Sequence, residues 1–310
     1  MSDCTVITAV YNGEKYISET LNSVLKYSAS IDAEILVIDD GSTDQTAEIL
    51  KSFGSRIRVV TQKNSGEADA VNRGINEAKG EYSLVVSADD PLISGELFES
   101  GLKLLAETPS TVVVYPDWQI IDQDGKVLET KECAEYSFEV LLGEFTCIPG
   151  PGAIFRTAVA REINGRNPIY KYVSDYDFWL RMANHGEFKR IPRVLAQWRQ
   201  HPDSTSIGQR GLVMALERIA VIENYLEKFP QPKALSRQAL SSAYYNAAIL
   251  AFFNPELPGR TWMLKGLAIK RGWIKGARLR IVVYLLLLPI SLKLYRLLDS
   301  IGIASRVRHK

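Results

Sequence analysis

The chain has 310 residues, of which 46% are hydrophobic and 24% are charged, a composition that is ordinary for a globular protein with a large core and an appendage. Its formal net charge of +1 conceals an asymmetry, because residues 260–310 carry twelve Lys or Arg and a single acidic residue, Asp299. The three cysteines, Cys4, Cys133 and Cys147, form no CxxC pair, which argues against a disulfide framework or a zinc site and favours the cytosol.

The first 80 residues alternate predicted strands with predicted helices, which is the rhythm of a parallel α/β sheet. The pattern predicts strands at 4–10, 34–38 and 57–61, and helices at about 13–27, 43–53 and 67–79. The first strand has no preceding basic and apolar leader, so we expect no signal peptide. Neither a Gly-x-Gly-x-x-Gly fingerprint nor a Walker loop follows it, which argues against a dinucleotide site or a P-loop.

Polar residues follow all three strands at the ends that parallel strands share. Asn12 and Gly13 come after the first strand, Asp39 and Asp40 after the second, and Asn64 after the third. Ligands of open α/β sheets bind just beyond the carboxyl ends of the strands. Asp-Gly and Asn-Gly pairs also mark ordinary turns, but their coincidence at three strand ends favours a ligand-binding crevice.

The stretch YSLVVSADDP (82–91) predicts a buried central strand that runs into two carboxylates, Asp89 and Asp90. Neighbouring carboxylates repel each other unless a cation lies beside them, and a hard divalent cation such as Mg²⁺ or Mn²⁺ is the usual one. A plain strand-to-turn junction is the competing interpretation, because Asp-Asp-Pro is also favourable turn chemistry.

Asp175 and His201 are further candidate site residues. The segment SDYDFWLRM (174–182) predicts a short helix from about residue 175, whose dipole favours the ionised carboxylate that a general base needs. A helix cap is the competing role for Asp175. His201 is a candidate metal ligand or phosphate contact, although a single histidine often serves neither purpose.

Residues 111–131 predict a β-hairpin that turns at Asp124 and Gly125. Its Asp117 and Trp118 are candidates to face an acceptor, because aromatic rings stack well on the faces of sugars. Packing in the core is an equally good role for Trp118.

From about residue 207 the rhythm changes to helices. Residues 210–229 and 233–253 are amphipathic, and a basic segment follows them. The apolar run 281–292 is too short to span a bilayer, but an interfacial helix on an anionic membrane fits it. Packing on the rest of the chain or on a second subunit is the competing interpretation, and no recognised module supports nucleic-acid binding.

Seven segments, taken in order, resemble those of the inverting glycosyltransferases of family 2, which have the GT-A fold. The segments are TAVYNGEKYISETLNSVL (8–25), EILVIDDGSTDQT (34–46), NSGEADAVNRGINEAKGEY (64–82), VVSADD (85–90), GPGAIFRT (150–157), SDYDFWLRM (174–182) and VLAQWRQHPDS (194–204). The range from the first segment to the last, residues 8–204, is about two thirds of the chain, and the ordered set is much more specific than any one segment.

The resemblance implies a role for each matching residue. It implies a donor site at Ala9, Tyr11, Asp39, Asn72, Ser87 and Asp89. Asp39 would accept a hydrogen bond from the nucleotide base, and Asp175 would be the catalytic base. Asp89 and Asp90, with His201 as a further candidate ligand, would hold the donor diphosphate through Mg²⁺ or Mn²⁺. Ser87 stands where the commonest family pattern has the first Asp, so either carboxylate can be the one that contacts the metal.

The expected protein is therefore a GT-A catalytic domain at 1–206, with a mostly parallel sheet flanked by helices, followed by a helical, basic region at 207–310. It would move a sugar from a nucleoside diphosphate to a hydroxyl of a lipid-linked or membrane-proximal glycan. Residues 260–310 would place it on the anionic inner face of the membrane, on the cytoplasmic side. An oligomer is compatible with these features.

Two other functions compete with this interpretation. A sugar-nucleotide-binding or scaffold protein at the membrane would explain Ser87 in place of Asp. A haloacid dehalogenase-like phosphatase would use Asp39 as its nucleophile. That chemistry, however, wants a second Asp at position 41, which is Gly41.

Overall fold

The computed structural model describes residues 3–146, 149–201, 211–253 and 257–269. The chain divides into two compact units. The first contains the described residues 3–141, 146 and 149–201, and the second contains 142–145, 211–253 and 257–269. Within these ranges none of the helices has the length and apolar character that a membrane span requires.

One sheet organises the first unit, and the described residues contribute eight strands to it. The strands are β1 (Cys4–Val10), β2 (Ala33–Asp39), β3 (Arg58–Thr61), β4 (Tyr82–Val85), β5 (Thr111–Ile121), β6 (Val127–Lys131), β7 (Ile154–Arg156) and β8 (Glu187–Arg199). Their order is β3-β2-β1-β4-β7-β5-β6, with β8 paired to β5. The first four strands in that order are parallel, β5 is parallel to β8, and the pairs that involve β6 and β7 are antiparallel.

Helices connect the strands of the first unit and form the described part of the second. The helices are α1 (Ile17–Tyr27), α2 (Thr46–Ser52), α3 (Glu67–Glu77), α4 (Glu96–Glu107), α5 (Phe138–Gly143), α6 (Thr157–Glu162), α7 (Ser174–Met182), α8 (Leu212–Lys228), α9 (Lys233–Phe253) and α10 (Gly259–Ile269). In the second unit the Ser241 hydroxyl, on α9, donates to the carbonyl of Gly266, on α10, at 2.8 Å. Small residues therefore let these two helices pack closely.

The central strands are apolar along nearly their whole length because helices cover both faces of the sheet. Ile7 of β1 and Leu36 and Ile38 of β2 are fully buried. Gly74 of α3 lies so close to Ile7 that a Cβ on the glycine would collide with the isoleucine side chain. Glycine at position 74 therefore lets α3 pack closely against β1.

The expected mostly parallel α/β sheet with flanking helices is confirmed, but α1 begins at Ile17 instead of residue 13. The residues before it donate their backbone N–H groups to the side chains of the loop after β2. Asn12 N donates to Ser42 Oγ at 3.0 Å, and Gly13 N donates to Thr46 Oγ1 at 2.8 Å. These contacts tie residues 12 and 13 to the segment after β2, and Asn12 has a φ of +53°, which is outside the helical region.

The predicted interfacial helix at 281–292 lies outside the described residues. Most of the basic segment 260–310 lies outside them as well, because the description ends at residue 269.

Candidate active site at the carboxyl ends of the strands

Asp39 ends β2 and Asp40 begins the loop that follows it, and the two carboxylates have different hydrogen-bond partners. Asp40 is buried and accepts hydrogen bonds at both oxygens, from the N–H groups of Ser65 and Gly66 at 3.0 and 2.8 Å and from the Gln62 amide at 2.8 Å. Asp39 is also buried, and its Oδ1 accepts from Ser42 N at 2.9 Å. Asp40 therefore braces the loop before α3, while Asp39 keeps accepting capacity for another group.

The end of β1 lies next to Asp39, because Val10 and Asp39 are register partners in the parallel pair. Ala9, one residue earlier, is partly buried against Ile38 and its neighbours. Tyr11, one residue beyond the strand, is 50% exposed. Val10, the register partner of Asp39, is therefore preceded by a small residue and followed by an exposed aromatic ring.

Asp89 and Asp90 follow β4, on the same edge of the sheet. Asp89 Oδ2 lies 2.9 Å from Nε2 of His201, and its backbone carbonyl accepts from Arg199 Nε at 2.9 Å. Asp90 is buried, and its Oδ1 accepts from the backbone N–H of Arg199 at 2.7 Å. Ser87, just before the pair, is exposed. The structure therefore brings together Asp89 and His201, which are 112 residues apart.

Arg199 is a site residue that sequence reasoning missed. Its side chain is 2% exposed, and it donates to the Glu19 carboxylate at 2.7 Å and to the carbonyl of Gln123 at 3.1 Å. Its guanidinium also lies over the Tyr16 ring, 4.7 Å from the centroid. The only signal in the sequence is that Arg199 lies two residues before His201. Its partners are distant along the chain, so local patterns do not reveal them.

Burial changes the acid–base properties of Asp90. Desolvation, followed by the nearby Asp89 carboxylate, raises the pKa of Asp90 well above the usual range, although the Arg199 N–H acts in the opposite direction. A carboxyl group in this position favours its neutral form.

The Asp89 and His201 pair fits a divalent cation by its chemistry. A carboxylate oxygen and an imidazole nitrogen are both suitable ligands for Mn²⁺, and Mg²⁺ sites need only one or two carboxylates when substrate phosphates complete them. The described residues contain no cluster of three or more His, Cys, Asp or Glu side chains that could hold a metal alone. Such an ion would therefore depend on oxygens of the ligand that it holds.

Asp175 lies in the first turn of α7, as the sequence predicts. It is half-buried, and its Oδ1 accepts from Tyr176 N at 2.7 Å. The helix end was expected to favour the ionised form. Desolvation is the larger effect and raises the pKa of Asp175, although the positive charge of Arg166 acts in the opposite direction. A raised pKa makes the carboxylate a stronger base.

Asn72 of α3 is occupied by the backbone of the loop after α6. Its Nδ2 donates to the carbonyl of Arg166 at 2.7 Å, and its Oδ1 accepts from Arg166 N at 2.6 Å. Both ends of the amide are thus used within the protein. A direct contact of Asn72 with a donor stays a prediction, whereas its hold on the loop is structural.

Asp117 is buried, so it does not face an acceptor as the sequence suggested. Arg190 donates to both of its oxygens, at 2.8 and 2.7 Å, and Cys133 N donates to Oδ1 at 2.8 Å. Burial alone would raise the pKa of Asp117, but these hydrogen bonds lower it below its ordinary value. Trp118, the next residue, is half-buried and packs edge-on against Trp198, with 6.0 Å between the ring centroids.

Comparison with known proteins gives one family and several relatives. The family described as "Glycosyl transferase family 2" matches residues 5–163, about half of the chain. An uncharacterized glycosyltransferase of Rickettsia typhi is 29% identical over 211 residues, which are 65% of this chain and 65% of that protein. The hyaluronan synthase of Pasteurella multocida is 27% identical over 78% of this chain, which spans only 24% of that protein. The chain therefore covers less than two thirds of the length of these relatives.

Two solved structures share the fold. S. aureus TarS 1–349 in complex with UDP aligns with a TM-score of 0.62 and 20% identity, over 87% of this chain and 76% of that one. A mannosyltransferase of Pyrobaculum calidifontis, in complex with GDP-Man and Mn²⁺, aligns with a TM-score of 0.57 and 18% identity, over 92% of this chain and 85% of that one. The expected GT-A architecture is thereby confirmed.

Proposed function

The chain belongs to glycosyl transferase family 2, and from this premise we propose that it is an inverting glycosyltransferase. It moves a sugar from a nucleoside-diphosphate donor to a hydroxyl of a glycan acceptor. The observation that carries this proposal is that the four aspartates at the strand ends differ in their hydrogen-bond partners. Asp40 and Asp90 accept backbone N–H groups from distant elements, whereas Asp39 accepts only from the nearby Ser42 N among the described hydrogen bonds, and Asp89 pairs with the imidazole of His201.

Donor binding is assigned to the residues on the sheet edge. The Asp39 carboxylate accepts a hydrogen bond from the base, and Tyr11 and Ala9 line its plane. Ser87 offers a hydroxyl to the ribose. Asp89 and His201 are the residues that would hold Mg²⁺ or Mn²⁺, and a cation bound there neutralises charge on the departing diphosphate. The solved relatives with UDP, UDP-GlcNAc and GDP-Man support a nucleotide-sugar donor.

Asp175 is assigned as the general base. Its carboxylate removes the proton from the acceptor hydroxyl while the oxygen attacks the anomeric carbon from the face opposite the diphosphate. The carbon–oxygen bond to the diphosphate breaks as the new glycosidic bond forms, so the configuration inverts without a covalent intermediate. The desolvated setting of Asp175 suits this step, because a base works best when its pKa is closer to the operating pH.

The acceptor is assigned to the class of lipid-linked or membrane-proximal glycans. Two relatives, a hyaluronan synthase and a chondroitin synthase, carry names that indicate polysaccharide assembly. The twelve basic residues of 260–310 would hold the protein on anionic lipid at the inner face of the membrane. These two features support a role in the biosynthesis of a surface polysaccharide.

The test is slow donor hydrolysis. The full chain is incubated with UDP-GlcNAc or GDP-mannose and Mn²⁺, and the released nucleoside diphosphate is measured by chromatography. We expect release with one of the donors and a loss of at least about 100-fold in Asp175→Asn, since a positioned base contributes about 10²–10⁴-fold. Glu48→Gln, an exposed change on α2, is the control and should keep the wild-type rate.

Two outcomes would contradict the proposal. Full activity in Asp175→Asn would remove the assigned base. Binding of both donors without any release, abolished by Asp39→Ala, would instead identify a sugar-nucleotide-binding protein without transferase activity.

A further inference from the structure

Tyr16 is a buried aromatic residue next to His201, and the displacement described above does not use it. It stands at the N-cap of α1 and is 8% exposed. Its hydroxyl is buried and has no hydrogen-bond partner in the described part of the chain. Such a hydroxyl adds no stability, because a buried polar group without a partner costs free energy. The contacts of the Tyr16 ring therefore decide what this side chain does.

Two side chains from the end of β8 and the residues after it pack against the Tyr16 ring. The His201 imidazole has its centroid 5.1 Å from that of the tyrosine, and the two planes are tilted by 43°. The Arg199 guanidinium lies over the same ring, 4.7 Å from the centroid. An aromatic ring attracts a cation over its face and packs favourably against another ring at such a separation. Tyr16 thus joins the start of α1 to the segment that carries His201.

Hydrogen bonds hold both Tyr16 and Arg199 in place. The Tyr16 carbonyl accepts from Thr20 N at 3.1 Å, in the first turn of α1. Arg199 donates from Nη2 to the Glu19 carboxylate at 2.7 Å and from Nε to the Asp89 carbonyl at 2.9 Å. One connected group of contacts therefore reaches both Asp89, through its backbone, and the imidazole that pairs with it.

The orientation of the His201 imidazole decides where its nitrogens lie. Nε2 is 2.9 Å from Asp89 Oδ2, and the imidazole side chain is 12% exposed. Turning the imidazole out of its plane about the Cβ–Cγ bond would carry Nε2 away from Asp89. The ring of Tyr16 opposes that rotation, because it packs against the imidazole. Residues that fix the ring of a ligating histidine raise its affinity for the metal.

We infer that Tyr16 is a positioning residue for His201. Its ring holds the imidazole with Nε2 directed at the Asp89 carboxylate, and Arg199 stabilises the arrangement from its place over the tyrosine. The hydroxyl of Tyr16 takes no part. This inference rests on the proposed role of Asp89 and His201 in holding Mg²⁺ or Mn²⁺.

The test is NMR of the full chain labelled with ¹³C-histidine, with Mn²⁺ alone as the probe. The chain has three histidines, and the His201 signals are assigned by their absence in His201→Gln. A paramagnetic ion broadens the signals of the groups that bind it, even when binding is weak. Mn²⁺ is added in small steps, and the concentration that halves each ring signal is recorded. In the wild-type protein we expect His201 to broaden, and its signals to be displaced from those of free histidine by the ring current of Tyr16.

Tyr16→Leu should move the His201 signals toward those of free histidine, because the ring current is lost. It should also raise the Mn²⁺ concentration that halves them by about tenfold, the lower end of the about 10–100-fold range for residues that orient a ligand. Tyr16→Phe keeps the ring and should match the wild type in both measurements. If the leucine variant does not fold, Tyr16→Met takes its place with the same expectation.

Tyr27→Leu is the matched control, because it makes the same change on the same helix. Tyr27 is the last residue of α1, about 16 Å along the helix from Tyr16, so its loss should leave the His201 signals unchanged. His185 is the internal reference, since its Nδ1 also lies near a carboxylate, 3.8 Å from Glu162 Oε2. Its signals show whether each variant is folded, and its response to Mn²⁺ should be the same in all of them.

Three results would overturn the inference. They are no broadening of His201 in the wild type, equal broadening in the wild type and Tyr16→Leu, or a loss in Tyr16→Phe as large as that in Tyr16→Leu. The measurement needs neither a donor nor turnover, so it is separate from the donor test. If no donor is hydrolysed but His201 binds Mn²⁺ more tightly with an aromatic ring at position 16, the proposed function fails and the positioning role stands. If a donor is hydrolysed and Tyr16→Leu responds to Mn²⁺ like the wild type, the positioning role fails alone.

Discussion

Two Asp-Asp pairs stand on the same edge of the sheet, and in both the second carboxylate belongs to the scaffold. Asp40 accepts hydrogen bonds from the loop after β3, and Asp90 accepts one from the end of β8. The first member of each pair is the one assigned above to a ligand, and it has fewer contacts with backbone N–H groups from other elements. Asp39 accepts from Ser42 N, and the Asp89 carboxylate pairs with His201.

The pairs differ in the source of the anchor. The partners of Asp40 lie 22 to 26 residues away, within the next strand and loop. The backbone donor to Asp90 is Arg199, which lies 109 residues away, and the nearby Ser87 side chain also hydrogen-bonds to Asp90. The first site is thus built by neighbouring βα units, and the second forms only after β8 has joined the sheet. We therefore expect substitutions at the two anchors to lower the free energy of unfolding by different amounts.

The largest effect is expected at the long-range anchor. Arg199→Met removes a buried guanidinium and leaves the carbonyls of Asp89 and Gln123 without their donor. Each buried polar group that loses its partner costs about 1–3 kcal/mol, so we expect a loss of about 3 kcal/mol in the free energy of unfolding. Urea denaturation followed by tryptophan fluorescence measures it.

Arg193→Met is the matched control, because it changes the same residue type on the same strand where the side chain is 52% exposed. We expect a change within about 0.5 kcal/mol there. Equal losses in the two variants would show that the Arg199 side chain does not hold the second pair through the carbonyl of Asp89.

This contrast also explains what the sequence could predict. The β1 to β4 elements, and the placement of Asp39 and Asp89 at strand ends, follow from local alternation and turn residues, and the structure has them where they were expected. The division of each pair into ligand and anchor could not be predicted. It depends on which backbone N–H groups arrive from other elements, and for Asp90 the donor is 109 residues away.

The first residue of α1 and the hydrogen bonds of Asn72 could not be predicted from the sequence for the same reason. Both involve hydrogen bonds between elements that are far apart in the sequence. Asn12 N donates to Ser42, 30 residues away, and Asn72 bonds to Arg166, 94 residues away. Periodicity predicts which residues are apolar and buried, but it carries no information about such partners.

The local anchor should give an intermediate effect. Asp40→Asn replaces an acceptor oxygen by an NH₂ group that faces N–H donors on the loop of Ser65 and Gly66. We expect a loss of about 2 kcal/mol in the free energy of unfolding, because a buried charged acceptor is lost. The paired variant Asp39→Asn keeps an oxygen for its one recorded donor, Ser42 N, and should lose less than about 1 kcal/mol. If Asp39→Asn is the more destabilised of the two, the assignment of anchor and ligand group in this pair is reversed.

The smallest effect on the free energy of unfolding is expected for a substitution of Asp90. This residue differs from Asp40 because burial favours its neutral form. Burial raises the pKa of Asp90 well above that of an unfolded aspartate, so between those two pKa values the folded state keeps a proton that the unfolded state has lost. Wild-type stability should then fall as the pH rises through that window. Asp90→Asn is neutral at every pH and can still accept from Arg199 N, so it should lack this decline and stay within about 1 kcal/mol of wild type near pH 4. Urea unfolding between pH 4 and pH 8, with EDTA present, measures both slopes. If Asp90→Asn loses as much free energy of unfolding at pH 8 as Asp40→Asn does, then Asp90 is ionised in the folded protein. Both pairs would then be anchored by a carboxylate.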